Sequence, residues 1–348
     1  HQSNGQARFA IDRPRLISTM RALMTSKRVV LFLAASVIAA FFSFTATAAE
    51  NGVKITQLKD RLRVEIDGKL FTEYRFANVP RPYFYPVNWI DGQTGLTRNW
   101  PMKDGVEGEE KDHIHHRGVW FAHRHVSGHD FWGETPKSGE IVHDKFLEIK
   151  SGKNRGIIRQ TNRYIALDGT EICSDERVIR IHRRPDSRML DFQVTLKASA
   201  NDIVLEDDKD AGMGIRVAHT MKVTNRDKTA AGGHMVNSEG HRDGAAWGKA
   251  ARWLDNHGMA NGKRLGVAIF DHPDNPRYPT WWHARDYGLL TANAFGKRHF
   301  EKLKDTHAGD MPIRAGESRS WKYRFYWHKG DEKQGQVEKR WREFAAGK

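Results

Sequence analysis

Between Asp112 and Glu134 the chain carries six of its eighteen histidines, at positions 113, 115, 116, 123, 125 and 129, interleaved with Trp120, Phe121, Phe131 and Trp132. Imidazole is the side chain best suited to proton transfer near neutral pH, and its neutral form binds divalent metals. The middle of the stretch, 117–126, reads as a strand, because Val119, Trp120 and Phe121 favour the pleated conformation. Alternation then puts His115, Arg117, Val119, Phe121, His123 and His125 on one face, with His116 and Trp120 on the other. Residues two apart on a face lie roughly 6.6 Å apart, so His123 and His125 are the expected pair of metal ligands, completed by a carboxylate. Gly118 marks a place where a backbone or ligand comes close. His113, His115, His116 and His123 are the candidate acid–base groups. Each could instead be structural, donating a ring N–H to a backbone carbonyl.

Further groups come from distant sequence. His219, Glu239 and His283 are the candidates, since a His and a Glu across a pocket would serve proton abstraction and return at a sugar carbon, or hydrolysis of a glycosidic bond. Glu134 is the competing carboxylate. Trp120, Trp132 and Trp282 offer flat apolar faces to the C–H face of a sugar, with core packing as the alternative. Arg117, Asp130, Asn275, Arg277 and Arg285 are the expected hydroxyl or carboxylate binders, although Arg117 could equally pair with Asp112 or Asp130. The segment 271–287 is dense in Pro and turn formers, which predicts a long rigid loop closing over a pocket.

The elements that must position these groups read almost entirely as strands. Alternating segments fall at 53–58, 62–66, 70–76, 155–167, 171–182, 189–198, 215–224, 265–270, 288–292 and 321–327, with Asp67-Gly68 as a hairpin signal. Only 335–346 has helical spacing, through Val337, Trp341 and Phe344. The expected fold is all-β, a large antiparallel β-sandwich with a short C-terminal helix, of the supersandwich kind seen in galactose mutarotase-like proteins.

The N-terminal part reads differently. Residues 1–23 are polar and without periodicity, as a non-native or mis-called extension would be. At 24–48, Lys27 and Arg28 precede an apolar run from Val29 to Phe44 and an Ala46-Thr47-Ala48 cleavage site, the order of a secretory signal peptide. An uncleaved membrane anchor is the alternative. Export to the periplasm or beyond is therefore expected, with 49–348 as a single domain of about 300 residues. The formal net charge is +14, of which residues 1–48, with six basic side chains and one acid, supply five and leave +9. A basic surface favours acidic partners such as anionic polysaccharide, and export argues against nucleic acid. Cys173 is the one cysteine, so the fold rests on its core rather than on disulfides, and any metal site would use His, Asp and Glu.

Three segments carry a resemblance. Arg81-Pro82-Tyr83-Phe84-Tyr85-Pro86, the run from Asp112 to Phe121 with Asp130-Phe131-Trp132, and the run from Asp271 to Gly288 together resemble the bacterial PmoA-like family, also labelled methane oxygenase PmoA. Shorter matches at 237–240, 245–249 and 292–296 extend the likeness over most of the chain. The family has no established reaction and occurs mainly in bacteria rich in carbohydrate-degrading genes, which implies a carbohydrate or small-molecule substrate. A particulate methane monooxygenase subunit is built on several membrane-spanning helices, whereas the one long apolar run here is 29–44.

The expected protein is thus a carbohydrate-acting enzyme, a hydrolase, lyase or epimerase using His-based acid–base or metal-assisted chemistry on a glycoside or modified sugar. A non-catalytic carbohydrate-binding protein and a His-ligated metal oxidoreductase are the alternatives. No glycine-rich phosphate loop, Gly-x-Ser-x-Gly elbow or His-Glu-x-x-His helix is present, so no nucleotide cofactor is expected.

Overall fold

The computed structural model describes residues 51–347, so the expected extension at 1–23 and signal segment at 24–48 lie outside the described residues. In chain order the strands are β1 (Val53–Gln57), β2 (Arg61–Ile66), β3 (Lys69–Arg75), β4 (Tyr83–Val87), β5 (Val119–His123), β6 (Glu140–Lys150), β7 (Arg155–Ile165), β8 (Glu171–His182) and β9 (Arg188–Lys197). They continue with β10 (Ile203–Leu205), β11 (Ala211–Arg216), β12 (His234–Asn237), β13 (Trp253–Ala260), β14 (Lys263–Asp271), β15 (Trp281–Arg285), β16 (Leu289–Asn293), β17 (Met311–Ile313) and β18 (Ser318–Lys329). Two short helices, α1 (Lys297–Glu301) and α2 (Val337–Ala345), and two 3-10 turns, His219–Met221 and Asp243–Ala246, complete the described elements. No helix among the described residues is long and apolar enough to cross a membrane.

The strands form two eight-stranded antiparallel sheets, ordered β1-β2-β3-β4-β5-β11-β16-β15 and β12-β13-β14-β18-β9-β8-β7-β6, with β10-β17 as a separate pair. This is the expected all-β sandwich. The inner faces meet through aromatic contacts that cross between sheets, Phe71 on Trp327 at 5.6 Å and Phe84 on Phe192 at 6.5 Å between ring centres, and Phe295 just past the end of β16 adds a contact to Trp321 at 5.4 Å. β8 buries every second residue from Cys173 to Ile181, as a strand with one wet face should. Asp67 and Gly68 both adopt positive φ and turn β2 into β3, with Ile66 opposite Lys69. The C-terminal helix packs Val337 and Phe344 against Trp253, Phe270 and Tyr326 on the second sheet.

β5, β11 and β16 differ, being buried along their whole length. One face lies on the core and the other is covered by loops, chiefly the segment between β4 and β5 that brings in His113, His115 and His116. The strand expected at 117–126 is therefore shorter, because Gly118 takes φ 56° and a side chain there would collide with the Phe84 carbonyl. The segment 215–224 is not one strand: β11 stops at Arg216, and His219–Met221 is a 3-10 turn. The long loop expected at 271–287 is also corrected. Its prolines end at Pro279, and Trp281–Arg285 pairs with β16 as an edge strand.

Candidate active site

The register of the first sheet decides which side chains can meet. Tyr83, Trp120, Gly214, Thr291 and His283 are successive cross-strand partners, so they share the outer face, together with Arg216 and Arg285. Val119, Phe121 and His123 point the opposite way, into the sandwich. The His115 and His125 side chains lie outside the strand itself.

On the outer face His116 stacks on Trp120 at 5.4 Å, and His113 stacks on His116 at 4.8 Å with the rings 2° from parallel. Tyr287 lies parallel to His113 at 5.0 Å, and His115 meets His116 edge-on at 4.4 Å. Trp132 closes the group against Trp120 at 5.4 Å. Asp112 organises the charges. Its Oδ2 accepts from His113 Nδ1 at 2.9 Å, Arg216 donates to it at 3.0 Å, and Arg98 pairs with it closely. Burial works to raise the Asp112 carboxyl, and His113, Arg216 and Arg98 together outweigh it, so the group is held well below the usual carboxylate range. Arg216 also donates to His116 Nδ1 at 3.1 Å, which keeps the proton of a neutral imidazole on Nε2. Burial, reinforced by His115 and Arg216, pushes the His116 pKa well down, and burial with the nearby Arg81 guanidinium pushes His115 to about 3.

Of these imidazoles His113 is the accessible one, with its side chain 39% exposed. Its φ of 41° puts it in the left-handed region, which a non-glycine residue seldom adopts. Its carbonyl is held by Arg98 at 2.8 Å and by the His116 N–H at 3.0 Å. Asp112 and His113 line a cleft of about 660 Å³ with Glu110, Lys111, Arg226, Lys228, Trp247, Arg285, Asp286 and Tyr287 among its walls. An imidazole whose Nδ1–H is fixed by a carboxylate offers Nε2 as a base, and once protonated it is a general acid.

The other expected site residues distribute unevenly. Arg285 lines the cleft, whereas His219 is not among its walls and lies 3.6 Å from Glu109. His283 lies on the outer face but is buried, donating to the Lys209 carbonyl at 2.8 Å, and burial lowers its pKa to about 4. Arg117 pairs with Glu134, not with Asp112 or Asp130, and Arg81 holds the other side of that carboxylate at 2.7 Å. Trp120 and Trp132 are fully buried under the histidines, so they support the site and offer no face to a ligand.

Several expectations are overturned. His123 packs edge-on against Phe295 at 4.5 Å, donates Nε2–H to the Glu206 carbonyl at 2.8 Å, and is driven to a pKa of about 4 by burial. His125 lies beyond the end of β5 and pairs with Asp208 at 3.1 Å, and among the described residues no set of three ligands forms around it and His123. Among the described residues, the three potential ligands that do converge are Asp255 and His257 on β13 and Glu332 in the turn after β18. There both Asp255 oxygens are already taken, by His257 at 2.9 Å and His328 at 2.7 Å. Trp282 is an inner-face residue, wholly buried, with its indole N–H on the Ala251 carbonyl. Asn275 ties its loop to Asp271 and to the Lys322 backbone, and Arg277 clamps the carbonyls of Ala294, Gly309 and Asp310. Asp130 caps a turn through the N–H groups of Trp132 and Gly133. Glu239 contacts Ser238 and Arg252, neither of which lines the cleft.

Sequence reasoning missed Asp112, Arg98, Arg216, Asp286 and Tyr287 as site groups. Arg216 had a usable signal, a lone charge at the end of the otherwise apolar run Ala211–Arg216, where a buried cation demands a partner.

An all-β sandwich with an aromatic and histidine-lined cleft on its outer sheet face is the class these features define. The chain belongs to a family of unknown function, DUF6807, whose model matches residues 61–342. No curated protein matches the sequence. Similar solved structures include a putative aldose 1-epimerase from Escherichia coli K12, at 11% identity and TM-score 0.33, covering 80% of this chain and 99% of that one. A galactose mutarotase-like protein from Lactobacillus casei aligns at 8% identity and TM-score 0.30, covering 80% and 100%. A glycoside hydrolase family 97 enzyme from Pseudoalteromonas aligns at 8% and 0.31, covering 79% and 34%. Likenesses this distant carry no argument about activity.

Proposed function

We propose that the protein is an exported carbohydrate-acting enzyme in which His113, oriented by Asp112, transfers a proton to or from a sugar bound in the outer cleft. The observation that carries this is the Asp112–His113 pair at the cleft wall, its carboxylate fixed by two buried arginines and its imidazole open to solvent. Preorganised in this way, the imidazole needs no rearrangement to act. The walls favour a polyhydroxylated ligand: Arg285 and Lys111 donate, Asp286 accepts, and Trp247 and Tyr287 supply aromatic surface. His115 and His116, held neutral, fix the rings around His113 and do not themselves carry the proton.

Proton transfer at a sugar carbon or at a glycosidic oxygen is the reaction class, with Asp286 as the second acid–base group in the same cleft. The resemblance to PmoA-like proteins supports a sugar substrate. Turnover of a sugar panel by wild type and by His113→Ala tests the assignment. Product formed equally well by both proteins would sink it, whereas sugar binding with no product from either would make this a binding module.

A further inference from the structure

The cleft holds more positive charge than its own ion pairs neutralise. Glu110 is taken by Lys222 at 2.8 Å and by the Arg226 backbone N–H at 3.1 Å. Asp112 is shared between Arg98, Arg216 and His113. Lys111 has Asp104 at 2.7 Å. Arg226, Lys228 and Arg285 also line the cleft, and among the described residues none of them has a carboxylate partner within ion-pair distance. The acid between the first two does not compensate them, because Asp227 is turned into its own loop, bonding the Thr229 N–H at 3.0 Å and hydroxyl at 2.6 Å. The remaining acid of the cleft is Asp286, whose Oδ1 is buried without a hydrogen-bond partner.

Cations gathered on a concave wall repel one another and concentrate anions from solution. A guanidinium also matches the two-oxygen edge of a carboxylate or sulfate, which makes Arg285 a specific reader as well as a source of charge. Its guanidinium lies 5.5 Å from the centre of the Tyr287 ring, the ring stacked on His113, so an anion held there is next to the proton-transfer group. The basic balance of the whole chain points the same way.

Resting on the carbohydrate reading above, we infer that the sugar taken by this cleft carries an oxyanion, a uronate carboxylate or a sulfate ester, held by Arg285 with Arg226 and Lys228. The acidic group anchors the ring, and Asp286 accepts from a hydroxyl. A neutral sugar would leave these three cations of the cleft wall without a counter-charge.

Calorimetric titration at low salt tests this with trigalacturonate, neutral galactotriose, galactose 6-sulfate, galactose and inorganic sulfate as probes, on wild type, Arg285→Ala and an Arg226→Ser/Lys228→Ser double variant. The expected result is that an acidic sugar binds at least about tenfold more tightly than its neutral counterpart. That preference weakens with added salt and is lost in Arg285→Ala. Tighter binding of the uronate than of the sulfate ester assigns a carboxylate, and the reverse assigns a sulfate. Neutral sugars binding as well as acidic ones, or an acid preference that survives Arg285→Ala, overturn the inference and leave the carbohydrate reading standing. Binding of inorganic sulfate without any sugar, or of no probe at all, overturns both.

Discussion

His113 Nδ1 lies 2.9 Å from Oδ2 of its chain neighbour Asp112, with the His113 backbone in the left-handed region at φ 41°. Side chains of adjacent residues in extended backbone point apart. Here the turn before β5 folds them onto each other, and Arg98 holds both the Asp112 carboxylate and the His113 carbonyl. The dyad is therefore built by the loop and fixed by an arginine reaching in from fourteen residues upstream. Replacing His113 by alanine should cut turnover about 10²- to 10⁴-fold while leaving the denaturation midpoint nearly unchanged, because the ring is partly exposed. Asp112→Asn should lose turnover and stability together, since it strips the charge partner from two buried guanidiniums. Steady-state kinetics and urea titration on both variants check this, and a His113→Ala enzyme within twofold of wild type would remove the dyad from the mechanism.

His123 offers the opposite expectation. Its side chain is in the core, against Phe295 and the Glu206 carbonyl. His123→Ala should cost about 2–4 kcal/mol of stability through the cavity and the lost hydrogen bond, with kcat of the folded fraction unchanged. Metal content measured on wild type and variant should be the same. A stoichiometric metal lost only in the variant would show that His123 is a ligand after all.

The contrast between these two histidines explains how much could be read from the chain. Strand content was legible where burial is one-sided: the alternation along 155–182 yields β7 and β8 because one face is wet and the other dry. β5, β11 and β16 are covered on both faces and show no such period, so the chain could place a strand within 117–126 without saying which face carries the site. The histidine-rich stretch does supply the cleft's imidazole, and its division by strand alternation is correct for Trp120 and His123. What could not be read is that the face holding His123 is the inner one. That depends on the pairing of Val119 with Phe84, whose ring meets Phe192 of the other sheet more than a hundred residues away. Arg277 and Asn275 looked like ligand binders for a similar reason. Apart from the Asp271 carboxylate that Asn275 also meets, their partners are backbone carbonyls and amides outside 271–287, and nothing local to that segment announces them.

Arg277 gives a test of that last point. Its guanidinium donates to the carbonyls of Ala294, Gly309 and Asp310 at 3.0, 2.5 and 2.8 Å, joining the loop before β15 to the segment before β17. Arg277→Met keeps much of the length and removes every donor. Stability should fall by about 2–3 kcal/mol, as hydrogen bonds from a charged group to buried acceptors are lost together. Affinity for any ligand of the outer cleft should stay the same. Weaker binding at unchanged stability would return Arg277 to the site.

The buried imidazoles set the acid limit of the fold. Burial holds His123 and His283 to about 4, His115 to about 3, and His116 well below its ordinary value. In the unfolded chain each would titrate near 6.5. Above that pH both states are neutral and the groups contribute no pH dependence. As pH falls below 6.5 the unfolded chain takes up protons that the native state refuses, so stability is lost, and the loss continues until the native pKa is reached. His328, raised because Asp255 outweighs its burial, and His125, raised by its bond to Asp208, act in the opposite sense. They add stability at low pH and lose it as pH rises through their native values. His143 and His272 are also lowered by burial, and the exposed His307 is raised by its bond to Asp310, so six depressed imidazoles stand against three raised ones and the denaturation midpoint should decline between about pH 6.5 and 4, before most carboxylates titrate. His123→Gln removes one titrating group from the comparison. Its destabilisation relative to wild type should therefore shrink as pH falls, by at most about 1.4 kcal/mol per pH unit. Urea titrations of the two proteins at pH 7, 6, 5 and 4.5 measure that difference, and a gap independent of pH would mean that His123 takes up its proton in the native state.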